Sequence, residues 1–257
     1  MEILTIPCLK DNFSYLLICE KSLEAAVVDP SEADPIKKIV LEKQVRLTTI
    51  FNTHHHWDHV GGNKELITEN PDLLIFGHES DRGRIPGQNV FLEKGEDIYF
   101  GHEKGFFIHN PGHTSGAITY VFGETVFTGD TLFAAGCGRI FEGTPEQMYD
   151  SINDKIGQFP NEYKIYFGHE YTENNLNFAK SVEPYNSSIL KKLTRVKLLR
   201  SKGRFTTPTT LEEERETNPF MRCNSSEIQQ TIKFKDPKND LSEIEVFKTL
   251  RKLKDFF

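Results

Sequence analysis

The stretch that most limits what this chain can become is ten residues long: Thr53-His54-His55-His56-Trp57-Asp58-His59-Val60-Gly61-Gly62. The chain has only nine histidines, and four of them crowd into six positions here together with an aspartate. His54, His56, Asp58 and His59 offer imidazole and carboxylate, the donors that borderline divalent ions such as zinc prefer. The preceding residues 48–51, Thr-Thr-Ile-Phe, are β-branched and apolar and read as a buried strand. If that strand stays extended, His54 and His56 point one way and His55 the other, because side chains alternate with period two. Asp58 and His59 fall where the strand must turn, before Gly61-Gly62 and a short helix over 63–69. Such a turn can carry them to a second metal.

One local design recurs along the chain: an apolar strand ends and a ligand-type residue follows. Val27-Val28 leads to Asp29, and Phe107-Ile108 leads to His109-Asn110-Pro111-Gly112-His113-Thr114. Val126-Phe127 leads through Thr128-Gly129 to Asp130, and Ile165-Tyr166-Phe167 leads through Gly168 to His169. Strand ends are rigid, and the loops leaving them can converge on one rim of a sheet.

Short apolar runs at 3–6, 13–19 and 25–28 predict a meander of strands, and Asp34-Pro35 predicts a helix with proline at its first position. Further strands are expected at 73–76, 97–100, 106–108, 118–122, 125–127 and 164–167. A helix over 145–158 is expected behind a Thr144/Gln147 capping box. After Tyr171 the pattern turns helical: 174–182, 187–201, 211–216, 226–232 and 242–256, the last behind a Ser242/Glu245 capping box.

Charge separates the same two parts. Residues 1–171 carry a balance of −12 and residues 172–257 one of +5, within a net charge of −7. The basic part suits an anionic ligand. The reading is therefore an α+β chain: a metal-binding unit over 1–171 and a smaller helical unit over 172–257. Cys8, Cys19, Cys137 and Cys223 form no Cys-x-x-Cys pair. With no signal peptide or membrane-length apolar run, they read as free thiols in the cytoplasm.

Asp29, the histidine cluster, His113, Asp130 and His169 together resemble the five ordered motifs of the metallo-β-lactamase superfamily. That resemblance implies a four-layer αβ/βα sandwich. It also implies two divalent ions, zinc first and iron or manganese as alternatives. One would be held by His54, His56 and His113, the other by Asp58, His59 and His169. Asp130 would bridge them, and Asp29 would stand behind the ligands. His55, His78, His102 and His109 have no place in the pattern.

A narrower resemblance lies in the remaining text. Asp130-Thr131-Leu132-Phe133, Gly136-Cys137-Gly138-Arg139-Ile140-Phe141-Glu142-Gly143-Thr144, Gly168-His169-Glu170-Tyr171-Thr172 and Asn218-Pro219-Phe220-Met221-Arg222 are similar to the glyoxalase II, or hydroxyacylglutathione hydrolase, family. Membership implies hydrolysis of S-D-lactoylglutathione to glutathione and D-lactate, the second step of methylglyoxal detoxification. The attacking group would be a metal-bound bridging hydroxide oriented by Asp58 and Asp130, with no dedicated protein nucleophile. Glutathione would be held by Arg139, Tyr171, Arg251 and Lys254. Some members carry tyrosine where this chain has Phe141, which cannot donate a hydroxyl hydrogen bond. The chain would act as a monomer on this small molecule, with neither nucleic acid nor membrane as partner. Persulfide dioxygenases and RNA-processing enzymes share the fold. The full seven-ligand set, the helical tail and the absence of an RNA-gripping insertion favour the hydrolase.

Overall fold

The computed structural model describes all 257 residues and divides into two compact units. The first comprises Met1–His109, Thr114–Gly129 and Tyr166–His169. Compactness thus divides the chain more finely than a single cut near residue 172.

The first unit opens with the expected meander, β1 (Glu2–Cys8), β2 (Asn12–Ile18) and β3 (Glu24–Val28), paired antiparallel in turn. Helix α1 (Ala33–Lys43) then returns the chain to β4 (Arg46–Phe51), parallel to β3. It begins ahead of Asp34, so Pro35 is its third residue and not its first. After β4 come α2 (Trp57–Val60) and α3 (Asn63–Glu69), then β5 (Leu74–His78) and β6 (Val90–Leu92), both added in parallel. The result is one six-stranded sheet in sequence order. The second sheet is an antiparallel run of β7 (Asp97–Phe100), β8 (Glu103–His109), β9 (Ile118–Phe122) and β10 (Thr125–Gly129). Beside β10, the Thr128 hydroxyl donates to the Tyr166 carbonyl and Gly168 N–H to the Gly129 carbonyl, at 3.3 and 2.9 Å.

Every residue of β2 is buried, which explains its apolar run Tyr15-Leu16-Leu17-Ile18: both faces of the first sheet are covered. On one face Leu16, Ile18, Val27 and Ile50 pack with Ile36 of α1 and Leu66 of α3. On the other, Phe51 meets Phe100, Tyr120 and Phe122 of the second sheet, with ring centroids 4.9–6.3 Å apart. Residues one apart along β4 thus serve two different cores, as period-two alternation requires.

The second unit comprises Asn110–His113, Asp130–Ile165 and Glu170–Phe257. It starts with a small hairpin, β11 (Leu132–Phe133) and β12 (Gly136–Cys137). Helix α4 (Pro145–Tyr149) carries the expected capping box but stays α-helical for five residues only. The winding then opens to a π-turn over Asp150–Lys155 and tightens to a 3-10 turn over Ile156–Gln158. The first two residues of β13 (Lys164–Phe167) pair with β14 (Thr209–Thr210). Helices α5 (Thr172–Val182), α6 (Ser187–Ser201), α7 (Leu211–Thr217), α8 (Ser226–Lys235) and α9 (Glu243–Asp255) complete it. Their core joins Leu176, Ala179, Ile189, Leu193 and Val196, with Phe220 ringed by Phe178 and Phe247.

Polar side chains of these helices hold the β11–β12 hairpin. Asn218 Nδ2 donates to the carbonyls of Phe133 and Gly136, Asn175 Nδ2 to that of Ala134, and Glu214 accepts from Ala135 N–H. Buried amides and carbonyls need such partners, and the Asn218-Pro219-Phe220 motif supplies one. A Cβ on Gly136 would come within 2.6 Å of the Asn175 side chain. No helix of the chain is long and apolar enough to cross a membrane.

Candidate metal centre

β4 ends at Phe51, and residues 52–56 leave it without strand structure. His54 and His56 therefore come together through a turn and not along an extended strand, with ring centroids 4.7 Å apart. The turn is closely held. Asn52 Nδ2 donates to the His59 carbonyl at 3.2 Å, Ile118 N–H to the Thr53 carbonyl at 2.9 Å, and Gly62 N–H to the Pro30 carbonyl at 2.8 Å. A Cβ on Gly61 would lie 2.5 Å from the Ser31 carbonyl oxygen, so this approach admits only glycine.

Within the first unit, Asp58, His59 and His169 present one ligand atom each, all within 4.8 Å of one another. His59 Nε2 and His169 Nε2 are 3.3 Å apart. Asp58 Oδ2 lies 3.8 Å from the former and 3.4 Å from the latter. The opposite ring nitrogens decide what these atoms are. His59 Nδ1 faces Asp29 Oδ2 at 3.0 Å and His169 Nδ1 faces Asp11 Oδ1 at 2.9 Å. An ionised carboxylate only accepts, so each neutral ring carries its proton on Nδ1 and turns the Nε2 lone pair toward the other ring and Asp58. Two lone pairs and a carboxylate oxygen aimed at one another, with both histidines buried, repel unless a cation lies among them. The donor set fits a divalent metal ion.

His54 obeys the same rule. The Thr53 hydroxyl donates to Asp29 Oδ2 at 2.7 Å and so accepts from His54 Nδ1 at 3.0 Å, which leaves Nε2 as the ligand atom. Asp29 itself is engaged by Thr53 N–H, the Thr53 hydroxyl and His59 Nδ1. It also lies close enough to His54 and His59 to form a ligand-like group. Its oxygens are taken by these donors, so it holds Thr53 and His59 in place. His55 faces away from the other ligand-type side chains, as expected, but through the turn and not through strand alternation: Nδ1 is 3.0 Å from the fully buried Asp81, and Arg84 bonds Nε2.

In the second unit, His113 Nδ1 lies 2.7 Å from the Arg139 carbonyl. A carbonyl cannot donate, so His113 too keeps Nε2 for a ligand role, 3.5 Å from Asp130 Oδ2. A Cβ on Gly138 would sit 2.0 Å from the Asp130 carbonyl oxygen, which explains the second glycine of Gly136-Cys137-Gly138. Cys137 is buried, and that burial pushes its thiol up to about 11, so it is no nucleophile at neutral pH. His78 and His109 stack at 3.9 Å; burial first, and the neighbouring ring second, push His78 down to about 4.

Residues 11–169 match the metallo-beta-lactamase superfamily, and residues 170–257 match the hydroxyacylglutathione hydrolase C-terminus. A hydroxyacylglutathione hydrolase of a Synechococcus species is 45% identical over 259 residues and covers 100% of both chains. One of Gloeobacter violaceus is 45% identical over 251 residues, 97% of each. The chain belongs to the hydroxyacylglutathione hydrolase family. Its fold is that of the metallo-β-lactamases. The BLEG-1 B3 metallo-beta-lactamase superposes with a TM-score of 0.67 at 20% identity, covering 86% of this chain and 100% of that one. ETHE1 from Myxococcus xanthus superposes with 0.65 at 24% identity, covering 98% and 99%.

The residues expected from the resemblance to hold glutathione all lie in the second unit, and their settings differ. Tyr171 is half-exposed, with its ring edge-on to Phe133 at 5.5 Å. Arg139 is exposed, its Nε 3.7 Å from Asp255. Arg251 is only 6% exposed. Its Nη1 donates to the carbonyls of Cys137 and Gly138 at 2.7 and 3.3 Å, and Nη2 donates to Asp255. Lys254 donates to Asn174 and lies over the rings of Phe178 and Phe257. Burial first, and the Arg251 charge second, push it down to about 8. Phe141 leaves its ring exposed beside that of His113, at 5.3 Å.

The sequence reading missed the partners behind the ligands: Asp11, Asn12, Thr53 and the Arg139 carbonyl. A local signal existed only for Thr53, which adjoins His54. Asp11 meets a ligand 158 residues away.

Proposed function

We propose that this chain is a metal-dependent thioester hydrolase that converts S-(2-hydroxyacyl)glutathione, S-D-lactoylglutathione in particular, to glutathione and a 2-hydroxy acid. One observation carries the reading: lone pairs of Asp58, His59 and His169 converge in a chain related end to end to hydroxyacylglutathione hydrolases. Two divalent ions, zinc first, would be held by His54, His56 and His113 and by Asp58, His59 and His169, with Asp130 common to both. Family membership supports the places of His113 and Asp130. Such ions lower the pKa of water toward neutrality and polarise a carbonyl.

The protein's own side chains do the rest. Asp29, Thr53 and Asp11 engage the Nδ1 atoms of His59, His54 and His169, so the neutral ring carries its proton on Nδ1 and keeps the Nε2 lone pair for a ligand role. A thioester asks for little more. Its leaving thiolate, with an ordinary pKa of about 8.5, departs without a proton, whereas an amide nitrogen would need one. Residues 172–257 would serve as the substrate-binding part. Lys254 supplies charge for a glutathione carboxylate, and Arg251 shapes the 137–139 turn from which Arg139 extends.

The test is turnover of S-D-lactoylglutathione by purified protein, with metal analysis of the same sample. Hydrolysis that tracks metal content supports the reading. Metal-replete protein without thioesterase activity would overturn it.

A further inference from the structure

The proposed centre leans on a part of the chain that no ligand motif touches, the three-residue turn joining β1 to β2. Register pairs Cys8 with Asn12, so Leu9, Lys10 and Asp11 form the turn, with Leu9 left-handed at φ 50°. Backbone bonds seat this turn against the loop of the last histidine. Phe13 N–H donates to the Gly168 carbonyl at 2.8 Å, and Asn12 bridges to His169. From that seat two adjacent side chains reach two ligands of one set. Asp11 Oδ1 accepts from His169 Nδ1 at 2.9 Å. Asn12 Nδ2 donates to Asp58 Oδ2 at 3.1 Å and to the Asp58 carbonyl at 3.0 Å. The third member of that set, His59, is held by Asp29. The other histidines have different supports: His54 is backed by Thr53, and His113 by the Arg139 carbonyl.

We propose that Asp11 and Asn12 are positioning residues for the Asp58–His59–His169 set alone, so that this turn sets how tightly one ion of the pair is held without altering the other. The inference rests on the two-ion reading given above. Each residue acts by a separate route. Asp11 locks the His169 tautomer and raises the basicity of Nε2. Asn12 fixes the Asp58 carboxylate through one of its lone pairs and leaves the rest for a cation. Asn12 is buried and Asp11 is half-exposed, so solvent replaces the lost bond more easily at Asp11.

Apo protein is titrated with Co2+ and with Zn2+ by calorimetry, and the stepwise affinities of Asp11→Ala, Asp11→Asn and Asn12→Ala are compared with wild type. Asp58→Ala and His56→Ala, each lacking one ligand of a different set, mark which step belongs to which set. Partners behind metal ligands contribute about 10–100-fold in affinity. Asp11→Ala should weaken one step by about tenfold and Asn12→Ala by up to about 100-fold. In both, the affected step should be the one Asp58→Ala removes, with the other unchanged. Asp11→Asn should recover most of the loss, because its amide oxygen still accepts from Nδ1–H; a general loosening of the turn would not be rescued. The half-exposed Asp11 pair decides the matter even if Asn12→Ala fails to fold. Equal weakening of both steps, no change in either, or a shift in the step that His56→Ala removes overturns the inference and leaves the two-ion reading intact. A single step in wild type overturns both.

Discussion

The ligand turn of the first unit and the basic end of α9 in the second are both crowded with functional residue types, and they use them in opposite ways. In the ligand turn the polar atoms behind the ligands are consumed so that those in front stay available. Asp29 absorbs three donors, and in return His59 and His54 keep their Nε2 lone pairs. On α9 the cationic head groups are themselves partly engaged by the fold. Arg251 spends Nη1 on two backbone carbonyls, and Lys254 lies against two aromatic rings. A carboxylate accepts several bonds at once and so can organise others. A guanidinium that holds a turn has fewer donors left for a ligand. A cluster of ligand types thus announces a site, whereas a pair of cations three apart on a helix announces only a face.

The contrast breaks most visibly at Asp29. Asp29→Ala orphans three buried donors, and each costs about 1–3 kcal/mol. We expect a loss of about 4 kcal/mol, a fall in Tm of roughly 10 °C for a chain of this size. Asp29→Asn separates stability from metal binding. Its oxygen can still accept from Thr53, but its amide would face the His59 Nδ1 proton. Relief of that clash moves the proton to Nε2 and blocks the ligand atom. Thermal melts of apo protein should show a partial recovery, while metal affinity stays low. Full recovery of both would show that Asp29 does not set the tautomer.

Asp58→Ala comes next. It removes a proposed ligand and not a support, so the second ion should bind on the order of 100-fold or more weakly while the first is spared, since loss of a support alone costs up to that much. Stepwise metal titration checks this, and equal loss at both steps would sink the assignment of Asp58 to the His59 set.

A smaller effect is expected at Arg251. Arg251→Ala leaves the Cys137 and Gly138 carbonyls without their cationic donor, a cost of about 2 kcal/mol. The turn before Arg139 should loosen, raising KM for the thioester by about tenfold with little change in kcat, because contacts remote from the reacting carbonyl act alike in ground and transition states. Steady-state kinetics with metal content checked decides. An unchanged KM would leave Arg251 a stabilising residue only.

The two regions also differ in how far their sequence disclosed them. Strands at 97–100, 118–122 and 164–167 and helices at 63–69 and 187–201 stand where apolar period and caps put them. Each candidate ligand follows the end of an apolar strand, and strand ends are fixed by local pattern. The short strands β6, β11, β12 and β14 escaped notice, being two or three residues long, too short for any period to register. The change from α to π winding after Tyr149 was likewise invisible, since the apolar stripe continues through Ile152 and Ile156. Arg251 and Lys254 were legible as cations, but not as a buried and a half-buried one. Their burial comes from Cys137 and Gly138, Asn174 and Phe178, which lie far off in sequence.

Lys254 gives the smallest and most selective effect, one of pH. Its pKa is pushed from 10.5 down to about 8, first by burial and then by the Arg251 charge. The sign follows directly. The fold disfavours the ammonium, so between about pH 8 and 10.5 the unfolded chain binds more protons than the folded one, and stability rises with pH through that window. Binding runs the other way. An anionic glutathione end is attracted only by the charged form, so KM should climb as pH passes about 8 and level off near the Lys254→Met value by about pH 9.5. The α-amino group of the substrate also titrates near pH 8, and wild type alone cannot separate the two. Lys254→Arg can, because a guanidinium stays charged throughout. Its KM should rise only by the share due to the substrate amine, and wild type should rise a few-fold more over pH 7–9.5. Parallel KM profiles for the two proteins would mean that Lys254 meets no carboxylate, and that its low pKa reflects only its place over Phe178 and Phe257.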